Sequence, residues 1–293
     1  MLAIVGPTAS GKTALSIKLA LRFSGEIISA DSRQVYEGFD ATSAKASPVE
    51  RGGVPHHLLS VVPITYRYSV IDFVRDAKKA ITNIHSRGNT PILAGGTMHY
   101  IDALLFGQEF PEVPPNEKLR EELSHYSSEK LFIILKEKDP RRAETIEQKN
   151  PRRLIRALEI VDALGAVPDH TLQYEKPQFS FKLFGIEKTL DTLEKCIKKR
   201  NAKRLEALIR EITKAVSEGI LTEKRASELG FDFLLGYQYV KGALSKDTLE
   251  TTLNTKDRQY AIRQMRWLKR NPHIHWLKSD DVFEEVCEVL RMS

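Results

Sequence analysis

The sequence predicts an α/β fold: a mostly parallel sheet flanked by helices and interrupted by a helical insertion. Three observations predict it. Over the first hundred residues, short apolar runs alternate with helical patterns, as strand–helix–strand units of a parallel sheet require. A glycine-rich loop joins the first apolar run to the first helical pattern. Near Phe110–Pro115 the texture turns proline-rich and then becomes charged helix, and a strand-like run feeding the core returns only at Phe181. A chain of 293 residues accommodates one large α/β domain and a smaller module. The expected division is a core of 1–110 with 179–293, and an insertion of 111–178.

Leu2–Val5 is the first strand. After it, Gly6-Pro7-Thr8-Ala9-Ser10-Gly11-Lys12-Thr13 fills the pattern G-x-x-x-x-G-K-[ST], and a helical pattern follows from Ala14 to Leu21. Strand, loop and helix in that order are the context a phosphate-binding loop needs. The two glycines let backbone N–H groups curl inward, and the helix adds its positive N-terminal end. Lys12 offers a point charge to the outer phosphates and Thr13 a hydroxyl to Mg2+. The core is therefore expected to be P-loop NTPase-like, binding a group with at least two linked phosphates.

Glu26–Ala30 is the second strand and ends at Asp31. Ser69 caps a helix to about Arg87, with Asp72 in its first turn. Pro91–Ala94 is the third strand, running into Gly95-Gly96-Thr97. Ligand groups in such folds gather beyond the carboxyl ends of the strands, so Lys12, Asp31 and Thr97 can face one site. Asp31 could bind Mg2+ through Thr13, act as a general base, or simply cap a helix. Thr97 could cap the helix after it or donate to a leaving oxygen.

In the insertion, Leu131–Leu135 reads as either a strand or a buried helical turn. Asn150-Pro151 starts a helix that Gly165 closes. Arg152 and Arg156, one turn apart, suit a solvated face or phosphate contacts on RNA. Phe181–Ile186 returns as a strand. A basic helix follows from about Leu190, then a helical region over 246–270. His273–Leu277 reads as a late strand, and Asp280 caps a final helix. His56-His57 lacks a third partner with ligand spacing and reads as structural, so no metal beyond Mg2+ is expected.

Hydrophobic content of 41% fits a globular protein with a sizeable core. No apolar run has transmembrane length and no leader is visible, so a cytoplasmic protein is expected. Cys196 and Cys287 read as free thiols. The net charge of +6, clustered on helices, keeps nucleic acid among the expected partners.

Together the motifs become specific. Gly6–Thr13, Asp31-Ser32-x-Gln34-Val35-Tyr36, Tyr68–Phe73, Gly95-Gly96-Thr97-x-x-Tyr100-Ile101 and Arg152-Arg153-Leu154-x-Arg156 occur in this order. With Gly236-Tyr237 and the Arg258–Trp267 run, they resemble the tRNA dimethylallyltransferases (tRNA isopentenyltransferases) over nearly the whole chain. The resemblance implies transfer of a dimethylallyl group from dimethylallyl diphosphate to N6 of the adenine just 3′ of the anticodon, in tRNAs reading codons that begin with U. It implies that the loop Gly6, Pro7, Thr8, Ala9, Ser10, Gly11, Lys12 and Thr13 holds diphosphate, with Mg2+ at Thr13. Asp31 would be the general base, and Thr97 and Arg200 would act on the diphosphate. The tRNA anticodon stem-loop would meet Asp31, Ser32, Arg33, Gln34, Arg152, Arg153, Arg156 and Arg263. The insertion would help grip it, with a helix at Leu131–Leu135, and a monomer is expected. The chain departs from the family pattern at Phe39–Lys45, Ser60, Cys196 and Arg266.

Two other enzymes fit parts of the pattern: a free-nucleotide isopentenyltransferase using AMP or ADP, and a P-loop small-molecule kinase. A non-catalytic RNA-binding module would leave Lys12, Thr13, Asp31 and Thr97 idle. The basic helices and the Arg258–Trp267 run favour the tRNA enzyme.

Overall fold

Every residue of Leu2–Val5 and of Gly25–Ala30 is buried. Successive strand residues point to opposite faces, so both faces of the sheet are covered there, as in doubly wound α/β folds. A computed structural model describes residues 1–108, 110–168 and 177–292. The elements of the larger compact unit begin with β1 (Leu2–Val5), α1 (Lys12–Arg22), β2 (Gly25–Ala30), α2 (Pro48–Arg51), β3 (His56–His57), α3 (Val70–Ser86), β4 (Thr90–Gly95) and α4 (Met98–Phe106). A helical segment follows: α5 (Glu117–Ser124), α6 (Ser128–Lys138), α7 (Pro140–Thr145) and α8 (Pro151–Leu164). Then come β5 (Lys182–Ile186), α9 (Leu190–Ser217), α10 (Glu223–Leu229), α11 (Phe231–Val240), α12 (Lys246–Leu268), β6 (Ile274–Leu277) and α13 (Val282–Arg291). One compact unit comprises Met1–Gly107 and Gln173–Ser293, the other Gln108–Leu172.

The sheet order is β3-β2-β4-β1-β5-β6, and every pairing between these strands is parallel. Register matters for the site. Val5 pairs with Gly95 and with Gly185, and Ala30 pairs with Gly95. The carboxyl ends of β1, β2, β4 and β5 are therefore level, and their loops rise from one edge. Leu15, Leu19 and Ala20 of α1 pack with Ile4, Ile27, Ile92 and Phe184 of the sheet and with Val286 of α13.

Local signals placed most helices. Ser69 and Asp72 form a reciprocal capping box on α3. Asn150 caps α8 through the Arg153 amide, Pro151 follows, and Gly165 closes the helix at φ 81°. Leu131–Leu135 lies inside α6: Leu131 and Leu135, one turn apart, are fully buried in the core of the smaller unit. The final helix is capped by Asp281, not Asp280, because the Asp281 carboxylate accepts from the Phe283 and Glu284 amides. Residues 169–176, within the expected insertion, lie outside the described residues. Among the described residues no helix is long and apolar enough to cross a membrane.

Candidate active site

The phosphate loop spans β1 to α1. Gly11 is the N-cap of α1 at φ 98°, a conformation that favours glycine, and no side chain caps the helix. The first-turn amides thus keep their partial positive charge for a ligand. Ala9 is held at φ 62°, a strained value for a residue with a Cβ, of the kind that clusters at ligand sites. The Ser10 hydroxyl is buried without a hydrogen-bond partner among the described residues. Among the described residues, Lys12 donates only to the loop's own Pro7 carbonyl, at 2.7 Å. Burial pushes the Lys12 ammonium down to about 8; Asp31 pulls it up and Arg200 pushes it further down.

Arg200 reaches the loop from α9. One guanidinium nitrogen donates to the Thr8 hydroxyl at 2.6 Å and another to Asp257 of α12 at 2.9 Å, while Nε is buried without a partner among the described residues. Buried polar groups are nearly always satisfied. Two orphaned donors and an ammonium paired only with a neutral oxygen describe a cradle built for an anion.

Asp31 stands at the end of β2. Its Oδ1 accepts from the Arg33 amide at 2.8 Å and the Gln34 amide at 3.3 Å, which fixes the carboxylate's direction. Thr97 occupies the N-cap position of α4, but its side chain makes no cap bond. Its Oγ1 accepts from the Ser32 amide at 3.0 Å instead, tying the end of β4 to the Asp31 turn. Gln34 turns inward, accepting from the Ser29 hydroxyl at 2.9 Å and donating to the Ala44 carbonyl at 3.4 Å. A cavity of about 240 Å³ is lined by Thr8, Asp31, Ser32, Arg33, Arg200, Phe231, Tyr260 and Arg263, among others. Arg263 stacks over the Tyr260 ring at 5.8 Å. Burial, then the Asp31 carboxylate, drives the Tyr260 phenol up to about 12.

Thr13, beside Lys12 at the start of α1, offers a hydroxyl, and Asp31 is the carboxylate nearest in effect to Lys12. Mg2+ is commonly bound by one or two protein oxygens plus substrate phosphates and water, and this donor set fits that mode.

No motif gives a role to Asp257, or to Gln264 within the Arg258–Trp267 run. Asp257, Ala261, Gln264 and Leu268 are all buried at a spacing of one helix face. Polar residues on a core stripe were the available signal. Residue Phe231 on α11, another cavity wall, had no motif to announce it.

Two of the departures from the family pattern, the Phe39–Lys45 segment and Ser60, have local partners. Thr42 donates through its hydroxyl to Glu211 at 2.7 Å. Ser60 accepts from the buried Lys45 ammonium at 2.7 Å, which also pairs with Asp40. His57 meets Glu26 at 2.6 Å. Burial raises the Glu26 carboxyl, but hydrogen bonds from Asn89, His57 and Arg87 outweigh it and hold the group at about 2.

In the helical unit, Arg152 and Arg153 are exposed on α8, with Arg153 3.2 Å from Glu147. Arg156 is half-buried and turned to internal use. It donates to the Val113 carbonyl at 2.9 Å and pairs with the buried Glu159 at 3.3 Å.

Residues 34–271 match a family model described as IPP transferase. The chain is 38% identical to the tRNA dimethylallyltransferase 1 of Geotalea uraniireducens, over 100% of this chain and 97% of that protein. It is 35% identical to the tRNA dimethylallyltransferase of Corynebacterium diphtheriae, over 99% and 97%. Among solved structures, the tRNA delta(2)-isopentenylpyrophosphate transferase of Staphylococcus epidermidis superposes with a TM-score of 0.73 at 33% identity, covering 100% of this chain and 99% of that one. A eukaryotic dimethylallyltransferase acting on tRNA gives a TM-score of 0.77 at 26% identity, covering 96% and 74%.

Proposed function

The chain belongs to the IPP transferase family, and from that premise we propose that it transfers a dimethylallyl group from dimethylallyl diphosphate to tRNA. The acceptor is N6 of the adenine just 3′ of the anticodon, in tRNAs reading codons that begin with U. The observation that carries this reading is the pairing of an unsatisfied anion cradle (Ser10, Lys12, Arg200) with the directed carboxylate of Asp31, which shares a cavity with Arg200 and with Thr8 of the phosphate loop.

The reaction forms the bond between C1 of the allyl group and the adenine N6, and breaks the C1–O bond to diphosphate. An aryl amine is a weak nucleophile, whereas an allylic diphosphate ionises readily once its leaving group is stabilised. The electrostatic contribution of the cradle therefore dominates. The Lys12 ammonium, the Arg200 guanidinium and the amides opening α1 carry it, and Thr97 would touch the diphosphate near the breaking bond. Asp31 accepts the proton that N6 releases. Thr13 would hold Mg2+, which would supply positive charge against that of the leaving group.

The target base must leave its stack, at a lower cost in an anticodon loop than in a duplex. Tyr260 and Phe231 offer aromatic walls to receive it, with Ser32, Arg33 and Arg263 alongside. The helical unit grips the stem-loop through Arg152 and Arg153, and the protein acts as a cytoplasmic monomer.

The test is transfer of labelled dimethylallyl group to an unmodified anticodon stem-loop, run beside AMP and with Mg2+ present. Label in the RNA that vanishes when the target adenine is replaced supports the reading. Label only in AMP assigns a free-nucleotide enzyme and overturns it.

A further inference from the structure

The side chain of Gln264, 5% exposed on α12, joins two loops far apart in sequence. Its Oε1 accepts from the Thr8 amide of the phosphate loop at 2.7 Å, and its Nε2 donates to the Gly96 carbonyl at 2.8 Å. Gly96 precedes Thr97, whose Oγ1 accepts from the Ser32 amide beside Asp31. A continuous path of single links thus runs Thr8–Gln264–Gly96–Thr97–Ser32–Asp31. It crosses from the anion cradle to the carboxylate without passing through the hydrophobic core.

We infer that Gln264 is the positioning residue that sets the distance between the diphosphate cradle and the Asp31 base, an inference that rests on the transfer reaction proposed above. The chemistry of the primary amide suits the task. It presents a strong acceptor and a strong donor on one planar end, and the two backbone groups it meets require one of each. The fit is also steric: a side chain added at Gly96 would run into the Gln264 amide. The clamped residue, Thr8, is followed by Ala9 in its strained left-handed conformation, so the clamp braces the turn where the loop departs most from relaxed geometry. Gln264 touches neither reacting group. Its removal leaves every binding group in place and loosens the separation between them.

Gln264→Leu and Gln264→Glu test this in single-turnover transfer to the stem-loop. Misplacement by about 1 Å costs on the order of 100-fold, so Gln264→Leu is expected to lower the transfer rate by about 10- to 100-fold. KM for the stem-loop should change by less than about threefold, since ground-state contacts persist. Gln264→Glu supplies a readout that a merely structural role would not move. Protonated, the new carboxyl can donate to the Gly96 carbonyl; ionised, it cannot, and burial pushes its pKa up. The ratio of its rate to the wild-type rate should therefore rise as pH falls from about 8 to about 6, while the ratio for Gln264→Leu stays flat.

The inference is overturned if both variants keep the wild-type rate. It is also overturned if they lose rate only in proportion to the unfolded fraction in a thermal melt, or if the Gln264→Glu ratio does not change with pH. Should Gln264→Leu fail to fold, the Gln264→Glu ratio decides alone. Wild type that transfers nothing would sink the proposed reaction instead, so the two failures are distinguishable.

Discussion

Replacing Lys12 with methionine should stabilise the protein while abolishing its chemistry. The burial that holds the Lys12 ammonium at about 8, against an unperturbed 10.5, penalises the charged folded state. At about 1.4 kcal/mol per pH unit, that penalty is about 3 kcal/mol at neutral pH. Methionine keeps the apolar stem and loses the hydrogen bond to Pro7, worth about 1 kcal/mol, so a net gain of about 2 kcal/mol is expected at pH 7. The sign with pH follows from linkage. Between about 8 and 10.5 the unfolded chain binds the Lys12 proton and the folded chain does not, so wild-type stability rises with pH across that window. The advantage of Lys12→Met is full below about 8 and shrinks towards 10.5. Urea unfolding of both proteins at neutral and alkaline pH measures it. Titration with dimethylallyl diphosphate supplies the functional half: wild-type affinity is flat below about 8 and weakens by up to about tenfold per pH unit above it, whereas the variant's is weak throughout. A variant less stable than wild type at pH 7, or a stability difference that ignores pH, would refute the claim that the loop holds this ammonium against its own burial.

Asp31→Asn should cut turnover by on the order of 100-fold or more with tRNA affinity nearly unchanged, as loss of a general base does; equal turnover removes Asp31 from that role. Arg152→Gln should weaken stem-loop binding and reduce the slope of log affinity against log salt by about 1, and an unaltered slope would leave Arg152 as a solvated surface residue. Arg156→Gln, by contrast, should lower the melting temperature of the chain, because it strips a partner from the buried Glu159; a salt-slope change without destabilisation would reverse that assignment. Thr13→Val should raise the Mg2+ concentration needed for half-maximal transfer while leaving the fold intact, and an unchanged Mg2+ dependence would detach the metal from this hydroxyl.

The architecture was legible wherever one physical signal dominated. Apolar runs ending in glycine or aspartate marked β1, β2 and β4, because strands buried on both faces carry no competing alternation. Capping pairs at Ser69 and Asn150 placed α3 and α8 to within a residue. Leu131–Leu135 stayed ambiguous until its two ends appeared one helical turn apart in the core of the smaller unit, since five apolar residues fit either period. The two-residue strand β3 was illegible for a different reason. His56 and His57 have weak strand preference, and what holds them is pairing with Ile27 and Ile28 and the bond from His57 to a distant Glu26.

The site divides along the same line. Apart from Arg200, the proposed phosphate-binding groups sit in one contiguous loop, because a helix N-terminus and its flanking turn are local structures; that is why Gly6 to Thr13 could be read directly. Groups that fix distances between loops come from α12, more than 150 residues away in sequence from the loops they hold, and their partners are backbone atoms that leave no trace in composition. What the sequence does carry is an anomaly: Asp257 and Gln264 occupy the stripe of α12 that Leu253, Ala261 and Leu268 bury. A leucine at either place would bury more apolar surface, but it would strand the Thr8 amide and Gly96 carbonyl at 264 or the Arg200 guanidinium at 257. The carboxylate and the amide on that stripe meet polar groups of distant elements, so their presence points to position as well as stability as the property being held. Asp257 accepts from Arg200 and Gln264 clamps Thr8, and both therefore act on the diphosphate cradle through a second residue.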